Sequence, residues 1–473
     1  MVACSTNPSR TNTAVTVVAH PDLEWVDAGG GVDFAQLTVP KDHAQPGGPT
    51  ISLFVARHRA TDPAQRVGSL LVNPGGPGAP GSALAIQADE VYSKRLLARF
   101  DIVGWDPRGV GRSVPAVDCV DDLDPLFGLD ISPDTPAEEQ ALTGRTKDFV
   151  AGCTQRSGDL LRYMSTEQSA RDMESLRAAI GEDKISYFGF SYGSELGATW
   201  LTLFPATVRA AVLDGAADPT ATPVSSSIQQ ATGFERAFDG FLTACAADQK
   251  CPFRHDGNPG PAFDALMANI EANPVPTSQG RIPVTSGVAL IAVAQALYSS
   301  RQWPRLERAL ADAEAGKGGG LLGLYDAYMG RSATGGYDNT LEAFFATTCT
   351  DAATSASDIT SLAAQLATVA PRMGALWLAP DPCLLWPAPV DASPPVTGDD
   401  APTVVVVGTT GDPATPLESS RAMAASLEHG VLVTVEAPDH TGYGLNDCID
   451  QTVDDYLIDL TAPAAGITCR PTT

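Results

Sequence analysis

One pentapeptide restricts this chain more than any other feature. Gly189-Phe190-Ser191-Tyr192-Gly193 reads G-x-S-x-G, with a strand-like run, Lys184-Ile185-Ser186-Tyr187-Phe188, before it and a helix-like run, Ser194 to Leu203, after it. A serine held on a sharp turn between a strand and a helix needs neighbours without a Cβ, so that the two elements can approach. Its Oγ is then presented at a helix N-terminus, where backbone N–H groups favour developing negative charge. The bare pattern arises by chance in Gly/Ser-rich chains. Strand before and helix after are what make it a nucleophile elbow.

A serine nucleophile needs a histidine base, and the chain has six: His20, His43, His58, His255, His429 and His440. Hydrolases built on such an elbow carry their residues in the order Ser, Asp/Glu, His, which leaves the last three. His429 precedes a glycine at a helix C-terminus, where a cation is favoured structurally. Thr403-Val404-Val405-Val406-Val407 reads as a buried strand ending at Gly408, and Thr410-Gly411-Asp412-Pro413 forms a turn just past it. A helix (Leu417 to Leu427), a strand (Val431 to Val435) and Ala437-Pro438-Asp439-His440-Thr441-Gly442 follow. Strand–Asp–helix–strand–His places Asp412 and His440 at one sheet edge beside Ser191. In that arrangement Ser191 attacks a carbonyl, His440 takes and returns the proton, and Asp412 fixes the imidazole tautomer. Each residue alone has a plain reading, Asp412 as turn chemistry and His440 as a loop histidine. The order and context together favour a triad.

The oxyanion that forms needs two backbone donors. The residue after the nucleophile, Tyr192, supplies one. The strand Gly68-Ser69-Leu70-Leu71-Val72 runs into Asn73-Pro74-Gly75-Gly76-Pro77-Gly78. Pro77 has no N–H, so Gly76 is the better second donor, followed by Gly75.

The chain divides into an N-terminal tether (1–29), a first α/β part (30–219), a helical insertion (220–395) and a second α/β part (396–473). Strands are expected near Phe34 to Val39, Ile51 to Arg57, Ser69 to Val72, Asp101 to Gly104, Ile185 to Phe188 and Ala210 to Asp214, with antiparallel pairing at the start. Ser165 to Ile180 has clear amphipathic spacing. Strand signals then vanish, and helices are expected at Gly233 to Ala246, Ala262 to Ala272, Val288 to Tyr298, Trp303 to Ala315 and Ile359 to Val369. Gly316 to Gly320 and Pro387 to Pro395 read as loops or hinges. The fold this predicts is an α/β-hydrolase fold, a mostly parallel sheet flanked by helices with an inserted helical cap. Asp106 and Arg108, on the turn after the Asp101 strand, read as mainly structural, Asp106 capping the loop or pairing with Arg108 or Arg112.

The combination of Val72-Asn73-Pro74-Gly75-Gly76-Pro77-Gly78, Asp101-Ile102-Val103-Gly104-Trp105-Asp106-Pro107-Arg108-Gly109-Val110-Gly111-Arg112-Ser113 and Gly189-Phe190-Ser191-Tyr192-Gly193 resembles the proline iminopeptidase-related α/β-hydrolases. Within them it resembles the secreted tripeptidyl aminopeptidases of actinobacteria. Gly411-Asp412-Pro413-Ala414-Thr415-Pro416 and His440-Thr441-Gly442, with Cys448 downstream, are similar to that group's C-terminal region. The likeness runs from about residue 30 to the end and is weakest in the middle. It implies an exopeptidase releasing short peptides from free N-termini, with Ser191, Asp412 and His440 as triad and Gly76 with Tyr192 as oxyanion donors. Asn-Pro-Gly-Gly-Pro-Gly in place of His-Gly-Gly-Pro-Gly points to the tripeptidyl branch.

A net charge of −26 argues against nucleic acid as a partner, and no run of about 18 apolar residues is present to span a membrane. The nine cysteines show no zinc spacing, so neither metal nor cofactor is implied. Guided by local closure and by the resemblance, neighbours pair as 119–153, 245–251, 349–383 and 448–469, one of about 105 connectivities open to eight cysteines. Disulfides imply an oxidising compartment, so a secreted or envelope protein is expected. Cys4 is left over. Val2-Ala3-Cys4-Ser5 looks like the end of a lipoprotein signal, which makes Cys4 a candidate lipid anchor; the plain alternative is a free thiol.

An aminopeptidase must also hold an ammonium group. Glu235 and Asp239, four apart on one cap helix, and Glu195, just past the elbow, are the candidate carboxylates, against the bland reading of exposed helix charges. Two rival functions stand beside the exopeptidase: a carboxylesterase or lipase with the same triad, and a non-catalytic binding protein on a hydrolase scaffold. The sequence leaves peptide length, side-chain preference and oligomeric state open.

Overall fold

The computed structural model describes residues 23–131, 133, 135–378 and 381–471. Cys4, and with it the expected lipid anchor and most of the tether, lies outside the described residues. Ten strands form one sheet among the described residues: β1 (Val26–Gly29), β2 (Val32–Pro40), β3 (Thr50–His58), β4 (Gly68–Asn73), β5 (Phe100–Trp105), β6 (Ile185–Phe190), β7 (Val208–Asp214), β8 (Val404–Thr409), β9 (Gly430–Val435) and β10 (Thr468–Cys469). Their spatial order is β1-β2-β3-β5-β4-β6-β7-β8-β9-β10. The first three run antiparallel, as does β5 on β3, and from β5 to β10 every neighbouring pair is parallel. The short edge strands β1 and β10 are the two that the sequence pattern does not reveal.

The central strands are buried on both faces, which is why they read as unbroken apolar runs. Alternation still sorts their side chains. Leu70 and Val72, Phe188, Val212, Val405 and Val407 pack with Leu96, Leu97, Ile449, Val453 and Leu457 on one side. Leu71, Tyr187, Leu213, Val404 and Val406 pack on the other side with Met173 and Leu176 of the helix Thr166–Ile180 and Leu196 and Trp200 of the helix Tyr192–Leu203. The Ser165 hydroxyl caps the first of these helices, and Gly181, in the left-handed region at φ 84°, ends it.

Register brings the strand ends level. Asn73 pairs with Gly189, Phe190 with Asp214, Asp214 with Val407 and Thr409 with Val435. The chain goes from β4 to β5 on one side and returns to β6 on the other, so the loops after β4 and β6 face each other across a topological switch point.

Between β7 and β8 the chain leaves the sheet and forms the helical cap: Pro223–Ala247, Pro259–Ala272, Ser286–Leu297, Trp303–Glu314, Gly319–Tyr328, Thr340–Asp351 and Ala356–Val369. Thr222 and Pro223 start the first of these with a capping box and a proline at N1. The helix Gly319–Tyr328 begins inside the glycine run that the sequence reads as a loop, whereas Pro387 to Pro395 is irregular as expected. Four disulfides close Cys119–Cys153, Cys245–Cys251, Cys349–Cys383 and Cys448–Cys469. Among the described residues no helix is long and apolar enough to cross a membrane.

Candidate active site

Ser191 directly follows β6 and caps the helix Tyr192–Leu203. Its backbone sits at φ 56°, ψ −126°, a strained region for a residue with a Cβ. Two hydrogen bonds hold it there. The Ser191 N–H donates to the Asp214 carbonyl at 2.8 Å, and the Ser194 N–H donates to the Ser191 carbonyl at 2.8 Å. Close approach of strand and helix explains the flanking glycines. A Cβ at Gly193 would come within 2.8 Å of the Asn73 carbonyl oxygen, and one at Gly189 would strike the Gly193 carbonyl.

Asp412 and His440 come from the turns after β8 and β9. His440 Nδ1 lies 2.8 Å from Asp412 Oδ1 and 3.0 Å from Oδ2. The carboxylate is itself fixed by N–H donors from Ala414 (2.9 Å) and Thr415 (2.8 Å) and by the Thr415 hydroxyl (3.2 Å). A carboxylate facing Nδ1 puts the ring proton there and leaves Nε2 as a bare acceptor. That Nε2 is buried and makes no hydrogen bond among the described residues. Burial pulls the His440 pKa down, but the charge and hydrogen bond of Asp412, with the charge of Asp214 behind them, outweigh it and leave it raised.

Asp214, the last residue of β7, ties serine to histidine. Its carbonyl holds Ser191, while its carboxylate accepts the N–H groups of Gly442 (2.7 Å) and Tyr443 (2.8 Å) in the histidine loop. Burial raises its carboxyl to about 6 against those two donors. In the sequence Asp214 only ends a strand and carries no assigned role. The one available signal was an acid at a parallel strand's C-terminal end.

The loop after β4 lies against the elbow. A Cβ on Gly75 would sit 2.9 Å from Ser191 Cβ and 3.0 Å from Tyr192 N. The Gly75 N–H is used within the loop, donating to Asn73 Oδ1 at 2.9 Å. Among the described residues the Gly76 N–H makes no hydrogen bond, so of the two glycines Gly76 has the free donor. The Tyr192 hydroxyl is 2.5 Å from Thr166 Oγ1, which donates to Asp351 Oδ2 at 2.7 Å.

The three candidate amine carboxylates part company here. Glu235 accepts the N–H groups of Arg372 (3.1 Å) and Met373 (2.9 Å), and Asp239 pairs with the Arg372 guanidinium at 3.5 Å. Both of these carboxylates therefore have partners within the cap, Glu235 at Arg372 and Met373 and Asp239 at Arg372. Glu195 makes no hydrogen bond or ion pair among the described residues, and burial raises its pKa. Asp351, close enough for the two charges to interact, is raised by burial and by Glu195 to about 8. Asp106 accepts N–H groups from Ser82 and Arg112, as a loop cap should. Arg108 pairs with buried Asp172 instead, through Nε and Nη2 at 2.8 Å each, and His43 joins the same carboxylate. One grouping of metal-ligating types, Cys349, Asp381 and Cys383, occurs among the described residues, with both sulfurs bound in a disulfide.

Comparison with known proteins shows the family. Residues 68–259 match the family described as alpha/beta hydrolase fold, and residues 370–469 match that described as TAP-like protein. The chain is 34% identical to Serine protease Hip1 of Mycobacterium tuberculosis, over 93% of this chain and 88% of that one. It is 38% identical to a protein named Carboxylesterase B from the same species, over 92% and 86%. It is 30% identical to Tripeptidyl aminopeptidase of Streptomyces lividans, over 97% and 88%. By fold and by these relatives the chain belongs to the α/β-hydrolase family, in its TAP-like branch, and is a serine hydrolase.

Proposed function

We propose that the chain is an exported serine exopeptidase that releases short peptides, tripeptides foremost, from free N-termini through an acyl-enzyme. Ser191 Oγ attacks the scissile carbonyl, and His440 Nε2 takes its proton and later delivers it to the leaving amine. Asp412 holds the tautomer and stabilises the imidazolium, and the Gly76 and Tyr192 N–H groups receive the oxyanion. The observation that carries this reading is the Asp412–His440 contact, with an open, buried Nε2 on a loop braced by the residue that also holds Ser191. Glu195 supports the preference for a free N-terminus. It is a carboxylate without a counter-charge, and a substrate ammonium would supply one. The four disulfides support export.

The test is mass spectrometry of the products from a peptide pool, free or N-acetylated, with Ser191→Ala as control. Release of tripeptides only from unblocked ends supports the proposal. Equal cleavage of blocked peptides, or of esters alone, sinks it. The second outcome is the esterase reading, which the relative named Carboxylesterase B keeps in play.

A further inference from the structure

The catalytic-histidine loop is gripped from two sides, and one grip belongs to the cap. Asp439, next to His440, is 6% exposed, yet no cation pairs with its carboxylate among the described residues. Among the described residues every donor to that carboxylate comes from one cap segment just beyond the helix Ser286–Leu297. The Ser299 hydroxyl and the Ser300 N–H each reach Oδ1 at 2.9 Å, and the Ser300 hydroxyl bridges both oxygens at 3.2 and 3.1 Å. The preceding cap residue takes hold of the histidine itself. The His440 N–H donates to the Tyr298 carbonyl at 2.9 Å, and the Tyr298 ring stands edge-on to the imidazole, 5.3 Å between centroids at 79°. From the core, Thr409 Oγ1 donates to the Asp439 carbonyl at 2.5 Å. The cap reaches the acid loop as well: Gly233 on the helix Pro223–Ala247 packs directly on the Pro413 carbonyl.

We propose that Asp439 is a positioning residue through which the cap, by Tyr298, Ser299 and Ser300, sets the orientation of His440. A buried carboxylate must find its donors, and these donors sit on the cap. The loop can therefore adopt its observed course only while the cap is seated. The ring that follows Asp439 is aimed by that course, and an error of about 1 Å in such aim costs on the order of a hundredfold in rate. Asp439 touches neither substrate nor the reacting atoms; it acts through its neighbour. The inference rests on His440 being the base.

The experiment compares Asp439→Ala, Asp439→Asn and the double change Ser299→Ala/Ser300→Ala with the intact protein. His440→Ala marks the base. The readouts are kcat and KM on a chromogenic ester or peptide, and the labelling rate of Ser191 by a fluorophosphonate. Asp439→Ala and the serine pair are expected to lose about ten- to a hundredfold in kcat, with KM within about threefold and labelling slowed in step. Asp439→Asn, which keeps a carbonyl acceptor, is expected to stay within about fivefold of the intact enzyme. Should Asp439→Ala fail to fold, the serine pair decides, since it removes the cap's donors and leaves the histidine loop unaltered in sequence. Folded variants with kcat within about twofold of wild type, or a loss confined to KM, overturn the proposal. So does an Asn variant no better than Ala. If those results come with an inactive His440→Ala, only the cap's role falls. An active His440→Ala takes the base assignment down and this inference with it.

Discussion

Ser191 and His440 are each held in a state that is costly alone, and in the proposed mechanism each is useful to the other. A strained backbone residue costs about 1–3 kcal/mol, and a buried polar atom without a partner costs a similar amount. Ser191→Gly should expose the first cost. Glycine suits φ 56°, and its chain-entropy penalty of about 0.5–1 kcal/mol is smaller than the strain it removes. Calorimetry should show a melting temperature raised by about 1–2 °C in a protein without hydrolytic activity. Asp412→Asn keeps the shape but admits the wrong tautomer, so kcat should fall by about a thousand- to ten-thousandfold in steady-state assays. The pH dependence follows from the raised His440 pKa. Only the neutral imidazole accepts a proton, so kcat/KM should rise with pH and reach half its plateau above the ordinary histidine value. Asp214 is one of the charges that raise it. Asp214→Asn should therefore move the acid limb to lower pH, and an unmoved limb would count against that assignment.

Among the elements, the elbow helix has two separate jobs in the proposed mechanism. Its first turn offers the Tyr192 N–H, and Glu195 presents a carboxylate without a counter-charge. Glu195→Gln should raise KM severalfold for peptides with free N-termini and leave ester hydrolysis unchanged; equal effects on both substrates would remove Glu195 from amine recognition. Such local units were the most legible part of the sequence. Apolar run, tight turn and helix follow one another within about a dozen residues, which is what singles out Ser191, Asp412 and His440 as candidates in the sequence. The helices Gly319–Tyr328 and Thr340–Asp351 were not singled out. Glycines open the first, and Thr347, Thr348 and Thr350 crowd the end of the second, both poor helix formers. Packing overrides the propensity. Gly320 has no side chain because the Ala309 backbone lies against it, where a Cβ would sit 3.0 Å from that Cα. A loop signal in sequence was a close helix contact in space.

For the whole molecule, what stayed illegible was long-range pairing of buried polar groups. Asp214 meets Gly442, Asp439 meets Ser299 and Ser300, and Asp172 meets Arg108, across stretches that no local pattern spans. Each of these acids looks in sequence like any other acid in a strongly acidic chain. The disulfide pairing that local closure and the resemblance together suggest is the one observed. Cys349–Cys383 fastens the cap helix Thr340–Asp351 to the Pro382–Leu385 turn across 34 residues, a closure worth roughly 3–4 kcal/mol in a chain-entropy account. Cys349→Ser/Cys383→Ser should lower the melting temperature in a scanning fluorimetry series without moving the acid limb of the pH profile.

The insertion of the cap between β7 and β8 also governs time. The strand pair β7–β8 joins Ala211 to Val404, so the sheet cannot be completed until the intervening chain has been made. A ribosome delivers Ser191 first, the whole cap next, and Asp412 and His440 after it. In the proposed mechanism a growing chain thus carries its nucleophile through the synthesis of the whole cap with nothing to activate it, and the segment that follows, from β8 to the turn after β9, works as the switch that arms the enzyme.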